Sequence, residues 1–254
     1  MKKIKILDLV PVIYTENLKN AINDRKELSK DLAERTNSLV QLDVAILEKG
    51  SSSLESMYDE FHSAPYILKK VKWAEKNQYD AIVIDCFFDP AVEAAREIVS
   101  IPVIGPCHSA VYLAAQVATK FSILGPTLDS NSKRIVMSNM KKYGVADRVV
   151  SLRGIDLAVL NLEAHPQRTL ELLIKETKEA IIKDGAEAVV LGCTGLSTFA
   201  RLLQEHLSKE NLSVPVIEPL RAAVYNALYM VLYGISHSKL SFSNPIEKSR
   251  IVDW

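Results

Sequence analysis

The chain has 254 residues, 48% of them hydrophobic and 24% charged, a balance that builds a packed core without metal or disulfide staples. Lys+Arg and Asp+Glu are equal at 31 each, so no global field draws it to nucleic acid or to an anionic membrane. Three cysteines do not make a disulfide framework and no apolar run has the length of a membrane span, so a cytoplasmic, reducing setting is expected.

Residues 4–12 read as a strand rather than a signal peptide, because Lys5 and Asp8 interrupt the apolar run and no small-residue cleavage site follows. Thr15 is placed to cap a helix over residues 16–38, and residues 40–47 form a second strand. A polar loop with Gly50 and three serines leads to a helix over 54–77, with Pro65 as a point of breakage. A strand over 80–85 ends at Cys86. Asp89 then reads as an N-cap and Pro90 as the first position of a helix over 90–99. A short strand over 101–104 and a helix over 107–118 follow. Residues 120–124 form a strand that ends on the turn Gly125-Pro126-Thr127. A helix over 129–143 is closed by Gly144. A strand over 149–152 and helices over 156–162 and 166–184 lead to a strand ending at Cys193. Ser197 is placed to cap a helix to residue 207, followed by a strand over 214–217 and a helix over 219–233. The tail, 236–254, shows no periodicity.

The pattern contains a repeat. Ala81-Ile82-Val83-Ile84-Asp85-Cys86 returns as Ala188-Val189-Val190-Leu191-Gly192-Cys193, each after an acidic residue, Asp80 or Glu187. Ile101-Pro102-Val103-Ile104-Gly105-Pro106 returns as Val214-Pro215-Val216-Ile217-Glu218-Pro219. Each half alternates strand and helix, which predicts an α/β fold with parallel sheets flanked by helices. Ligands of such sheets bind beyond the carboxyl ends of the strands. Both cysteines and the turns at Pro11 and Pro126 lie at such ends.

A thiol at a strand mouth beside a helix start is expected to have its pKa drawn down from about 8.5. Two thiols on opposite faces of one carbon can remove a proton from one side and return one from the other, which inverts the stereocentre with no cofactor. Backbone N–H groups after Cys86 and Cys193 are placed to hold the enolate charge. One such cysteine alone reads as a small buried apolar residue. Two at matched repeat positions carry the functional reading. Cys107 has no counterpart, since Leu220 or Arg221 falls at the matching place, and it reads as structural. His108 reads as a helix-start surface residue near the same mouth. His62, His165, His206 and His237 show no metal spacing, and no phosphate-binding glycine loop is present, so no metal or cofactor is expected. Tyr225, Tyr229 and Tyr233 share a helix face and read as core or interface. Asp85, in an alternating strand, is expected to point away from Cys86.

These residues resemble the aspartate/glutamate/hydantoin racemase superfamily, and its hydantoin racemase branch most of all. Cys86-Phe87-Phe88-Asp89-Pro90-Ala91 with Glu93-Ala94-Ala95-Arg96-Glu97 is similar to the branch's first cysteine motif, and Leu191-Gly192-Cys193-Thr194-Gly195 to its second. Residues 102–105, 120–124 and 215–219 match in order. The resemblance implies two Rossmann-like lobes related by a pseudo-twofold repeat, with the active site between them. It implies that the last helix returns to the first lobe, giving lobes of 1–115 plus 219–254 and 116–218. It implies cofactor-independent racemisation by Cys86 and Cys193 and a homo-oligomer. The remaining contacts to a small-molecule substrate fall on Pro11, Val12, Phe87, Phe88, Pro126, Thr127, Thr194 and Gly195. The branch commonly carries Asn-Pro-Asn where this chain has Val10-Pro11-Val12, glycine where it has Phe88, and a hydroxyl-rich turn where it has Gly125-Pro126-Thr127. The expected pocket is smaller, more apolar and poorly suited to a free amino acid, which leaves a 5-substituted hydantoin or amino-acid derivative as the leading substrate. The alternatives are a decarboxylase with one thiol donor, a cis–trans isomerase with a nucleophilic cysteine, and a non-catalytic two-lobed binder.

Overall fold

The computed structural model describes residues 3–249; the last five residues of the aperiodic tail lie outside that range. Strands β1 (Ile4–Ile13), β2 (Val40–Leu47), β3 (Ala81–Ile84) and β4 (Val103–Ile104) form a parallel sheet in the order β2-β1-β3-β4. Strands β5 (Phe121–Gly125), β6 (Val149–Gly154), β7 (Val189–Leu191) and β8 (Val216–Ile217) form a second parallel sheet in the order β6-β5-β7-β8. The sequence repeat is thus a repeat of strand order. The two cysteine-bearing strands, β3 and β7, are paired on both sides and every residue in them is buried, which is why both are continuous apolar runs rather than alternating ones.

The helices are α1 (Lys19–Arg35), α2 (Met57–Lys76), α3 (Val92–Ile98), α4 (Pro106–Val117), α5 (Ser130–Lys142), α6 (Pro166–Ile182), α7 (Phe199–Lys209) and α8 (Pro219–Tyr233). Strand periodicity assigns them to faces. Ile6, Ala81 and Val83 pack with α1 and α8, whereas Leu7, Leu9, Ile82 and Ile84 pack with α2 and α3. The halves exchange their last helices. After β8 of the second sheet, α8 buries Leu220, Ala223, Val224, Ala227 and Leu228 on the first. After β4 of the first, α4 buries Cys107, Ala110, Val111 and Ala114 against Phe121, Ile123, Ala188 and Val190 of the second. A lobe boundary at 115 therefore cuts through α4, whose buried face belongs to the second core.

Several local expectations change. Helix α2 starts at Met57, where Ser56 Oγ accepts the Asp59 N–H at 3.2 Å, and it runs unbroken through Pro65. The apolar stripe of Ile67, Val71 and Ala74 offsets the one backbone bond that proline removes. Residues 16–18 and 159–161 are single 3-10 turns; the second is all that forms of the helix expected over 156–162. Ser197 does not cap α7: it donates to Thr194 O and Glu218 Oε1, and Thr198 is the N-cap. Asp129 caps α5 by accepting the Ser132 N–H at 2.8 Å, and Gly144 takes the left-handed conformation at φ +70° beyond it.

Asp89 is the most consequential change. Its backbone and that of Ala91 are left-handed, at φ +54° and +56°, so the helix starts only at Val92. The Asp89 carboxylate turns away from α3 and accepts the N–H groups of Cys107 and His108, each at 2.9 Å, capping α4 instead. Among the described residues no helix is long and apolar enough to cross a membrane.

Gly105 makes room for that cap, because a Cβ there would stand 2.4 Å from the Asp89 carboxyl carbon. Gly105→Ala is expected to displace Asp89 and leave two N–H groups of α4 unmet, lowering stability by about 1–3 kcal/mol. Urea unfolding monitored by circular dichroism measures it, and an unchanged midpoint contradicts the capping role.

Candidate active site

The carboxyl ends of β3 and β7 open into one cleft between the two sheets. Cys86 stands two residues past β3 and Cys193 two residues past β7. Both line this cleft, as do Pro11 and Val12 from the end of β1, Phe87 and Phe88, Pro126 and Thr127 beyond β5, and Thr194 and Gly195. All ten positions singled out in the sequence come together there. Leu54 and Ser132 join them, as does a polar set that the sequence did not flag, chiefly Asn17, Ser52, Ser53, Glu55 and Glu163.

Each cysteine is held by its own turn and by the opposite half. The Asp89 N–H returns to Cys86 O at 3.0 Å, closing the loop after β3. From α5, Asn139 donates to Phe88 O at 2.9 Å, and the Tyr143 hydroxyl, just past the helix, donates to Asp89 at 2.7 Å. On the other side, Cys193 Sγ accepts the Gly195 N–H at 3.3 Å within a 3-10 turn over Thr194–Leu196. Thr194 Oγ1 reaches Asp85 O at 3.4 Å and ties the two strand ends together. Gly192 lets β7 lie close, since a Cβ there would be 3.1 Å from Leu124 O.

The thiols do not have lowered pKa values. Burial pushes Cys193 up to about 11, opposed by the Gly195 N–H and the Arg25 charge. Burial pushes Cys86 well up too, opposed by a backbone N–H at Phe88 and reinforced by the Glu60 carboxyl. Neither sulfur meets the start of an α-helix: α3 begins six residues beyond Cys86, and Cys193 is followed by a single 3-10 turn before α7. The expected dipole is therefore missing and desolvation wins.

A buried charge cluster underlies the cleft. Helix α1 turns Ala21, Arg25, Leu28 and Leu32 inward, so Arg25 occupies a core position and is only 4% exposed. Its Nε donates to Asp85 Oδ2 at 2.5 Å and its Nη1 to Ala21 O at 2.8 Å. Asp85 shares the phase of Ala81 and Val83 and so faces α1, yet it and Arg25 also line the cleft. The expectation that Asp85 points away fails because the strand has ended and the cleft wraps around its end. Asp8 lies 4.0 Å from Arg25 Nε, is fully buried, and has no hydrogen-bond partner on either carboxyl oxygen. Burial, then the Asp85 charge, raises its pKa well above the ordinary aspartate value, opposed by the Arg25 charge. Two sequence signals mark this cluster: an aspartate inside a fully buried strand and an arginine on an apolar helix stripe.

Other candidates stay outside. Cys107 is fully buried in the second core. His108 packs edge-on to Tyr112 and Tyr143, with ring centroids 4.5 and 4.8 Å away, and borders a separate groove; burial lowers its pKa to about 4. The Thr127 hydroxyl donates to Leu157 O at 2.9 Å, so its proton is already used. Tyr225, Tyr229 and Tyr233 are exposed rather than core. Among the described residues no three His, Cys, Asp or Glu side chains are grouped to hold a metal ion.

Comparison with known proteins agrees with this architecture. The chain is 36% identical over 234 residues to a hydantoin racemase of Pseudomonas sp. (strain NS671), covering 91% of each chain. It is 40% identical over 190 residues to a hydantoin racemase of Rhizobium meliloti, covering 75% of this chain and 76% of that one. Among solved structures, the allantoin racemase from Klebsiella pneumoniae superposes with a TM-score of 0.87 at 29% identity, over 98% of this chain and 97% of that one. The model of the family described as Asp/Glu/Hydantoin racemase matches residues 14–227, which include both cysteines and every strand but β1, and the chain belongs to that family.

Proposed function

We propose that this isomerase inverts a carbon stereocentre next to a carbonyl by passing protons through Cys86 and Cys193, with no cofactor, and that its substrate is a 5-substituted hydantoin or a related neutral amino-acid derivative. The observation that carries this reading is that two thiols, one from each sheet, line the same cleft at equivalent strand ends. The relatives named for hydantoin and allantoin support the substrate class.

In the reaction one sulfur, as thiolate, takes the hydrogen from the stereocentre, and the electron pair moves into the adjacent carbonyl as an enolate. The other sulfur, as thiol, donates its proton to the opposite face. The base has become a thiol and the acid a thiolate, so the pair is left poised for the reverse direction. A carbon acid is far weaker than an ordinary thiol. The burial that raises both thiols makes the thiolate scarcer but a stronger base, closer in strength to the carbanion it must form. The Gly195 N–H and the Arg25 charge both favour the Cys193 anion, and which sulfur acts as base depends on the enantiomer bound.

The lining disfavours a free amino acid. Its carboxyl groups are Glu55, Asp85 and Glu163; its single cationic side chain, Arg25, is already paired with Asp85. A substrate carboxylate finds no free cation there, whereas a neutral ring pays no such penalty. A decarboxylase needs one proton donor and leaves the second thiol idle.

Cys86→Ser and Cys193→Ser are each expected to cut inversion of a single hydantoin enantiomer by about 10²- to 10⁴-fold, read as decay of optical rotation. Inversion surviving in both variants excludes the two-thiol path. In deuterated water the parent is expected to exchange the stereocentre hydrogen, which a binding protein does not do.

The pH dependence follows from the raised thiol. Below about 11 Cys193 is mostly protonated, so its reactive fraction grows as pH rises. Alkylation of Cys193 by iodoacetamide in the Cys86→Ser variant is expected to accelerate about tenfold per pH unit from pH 7 and to level off near 11. A plateau already reached at pH 8 contradicts it.

A further inference from the structure

We infer that Asp85, anchored by Arg25, is the substrate-binding residue that accepts a hydrogen bond from an N–H carried on the reacting carbon. This rests on the two-thiol reading above and adds to it the group that selects the ligand.

Asp85 adjoins Cys86 in the chain and borders the same cleft, so whatever it binds lies beside the carbon that the thiols address. Its side chain has no solvent exposure. Oδ2 is fixed by Arg25 Nε at 2.5 Å, while Oδ1 has no hydrogen-bond partner. A buried carboxylate oxygen without a donor is costly, and native structures rarely leave one unmet. Two neighbouring donors are committed elsewhere: Arg25 Nη1 to Ala21 O, and the Thr194 hydroxyl to the main-chain oxygen of Asp85. Asp8 Oδ2 lies 4.0 Å from the same Arg25 Nε, beyond hydrogen-bond distance, and leaves that N–H to Asp85. A ligand N–H in the cleft that Asp85 borders would supply the missing donor.

The chemistry of that donor is constrained. A second carboxylate is disfavoured, since Glu55 lines the same space and Arg25 is already paired with Asp85. An N–H of an amide-like ring fits, because it donates without adding negative charge. In a hydantoin one ring N–H is bonded directly to the reacting carbon, next to where Asp85 stands. Because Arg25 and Asp85 form a paired unit, the acceptor is held in place without leaving a net charge against the enolate.

The test compares 5-benzylhydantoin with 5-benzyl-oxazolidine-2,4-dione, in which a ring oxygen replaces that N–H at nearly unchanged shape. Binding is measured by calorimetry, and stereocentre exchange of the hydantoin by proton NMR in deuterated water. The parent is expected to bind the hydantoin about 10- to 100-fold more tightly than the oxygen analogue. Asp85→Ala is expected to lose that preference, with KM for the hydantoin rising more than kcat falls. Asp85→Asn keeps an acceptor for Arg25 and serves if the alanine variant does not fold. Its amide offers a donor where Oδ1 was, so the preference is expected to vanish or reverse. A parent that exchanges the hydantoin but binds both rings equally overturns the role of Asp85 and leaves the two-thiol reading standing. So does a preference that survives in the folded variants. A parent that neither exchanges nor binds the hydantoin overturns both.

Discussion

The structure depends on two strands that have no free side. Strands β3 and β7 are hydrogen-bonded along both edges, and every residue in them is buried and apolar. The first residues able to carry chemistry are those just past their carboxyl ends. Both sheets use one strand order, so these ends occupy equivalent places, and the exchange of α4 and α8 joins the two cores. With the sheets joined in this way, the ends open into one cleft. The paired thiols are a consequence of that packing, and the turns around them only refine their position.

The same packing sets the electrostatics. Burial raises the pKa of both thiols and of Asp8. A charge can remain there only as a pair, and Arg25 with Asp85 is that pair. Such pairs seldom add net stability over a packed apolar core, because desolvation cancels most of their attraction. Their presence is better explained by what a fixed charge does at the cleft than by what it contributes to folding.

Much of this was legible in the sequence, for identifiable reasons. Apolar runs ending on Cys86 and Cys193 are local signals, and the doubled spacing of their neighbours revealed the repeated sheet. Cys86, Cys193 and the turns at Pro11 and Pro126 followed from a rule about the carboxyl ends of parallel strands, and the other cleft positions from the family resemblance. What stayed hidden was tertiary. Asp89 has the local form of an N-cap, yet it caps α4 because the left-handed backbone after Cys86 aims its carboxylate across the turn. The lobe boundary was drawn after residue 115 because chain order says nothing of which sheet α4 covers. The thiol acidity was misjudged because a helix was assumed to start nearer Cys86 than it does, and a dipole counts only within about a turn. The loops carrying Ser52, Glu55 and Glu163 have no periodicity to read.

The pair of Arg25 and Asp85 also acts on both thiols of the proposed reaction. Arg25 favours the anion of Cys193, whereas Asp85 opposes the anions of both thiols. Because the two charges are locked together, neither acts alone on the cleft, and the bias they leave is a difference rather than a sum. That difference favours Cys193, which Arg25 reaches, over Cys86, which also meets the Glu60 carboxyl. Two cysteines placed alike by the repeat are thereby made unlike by one side chain of α1 and one of α2. The proposed two-thiol reaction needs sulfurs equivalent in geometry and unequal in proton occupancy; the repeated fold provides the first, and Arg25 of α1 and Glu60 of α2 bias the second.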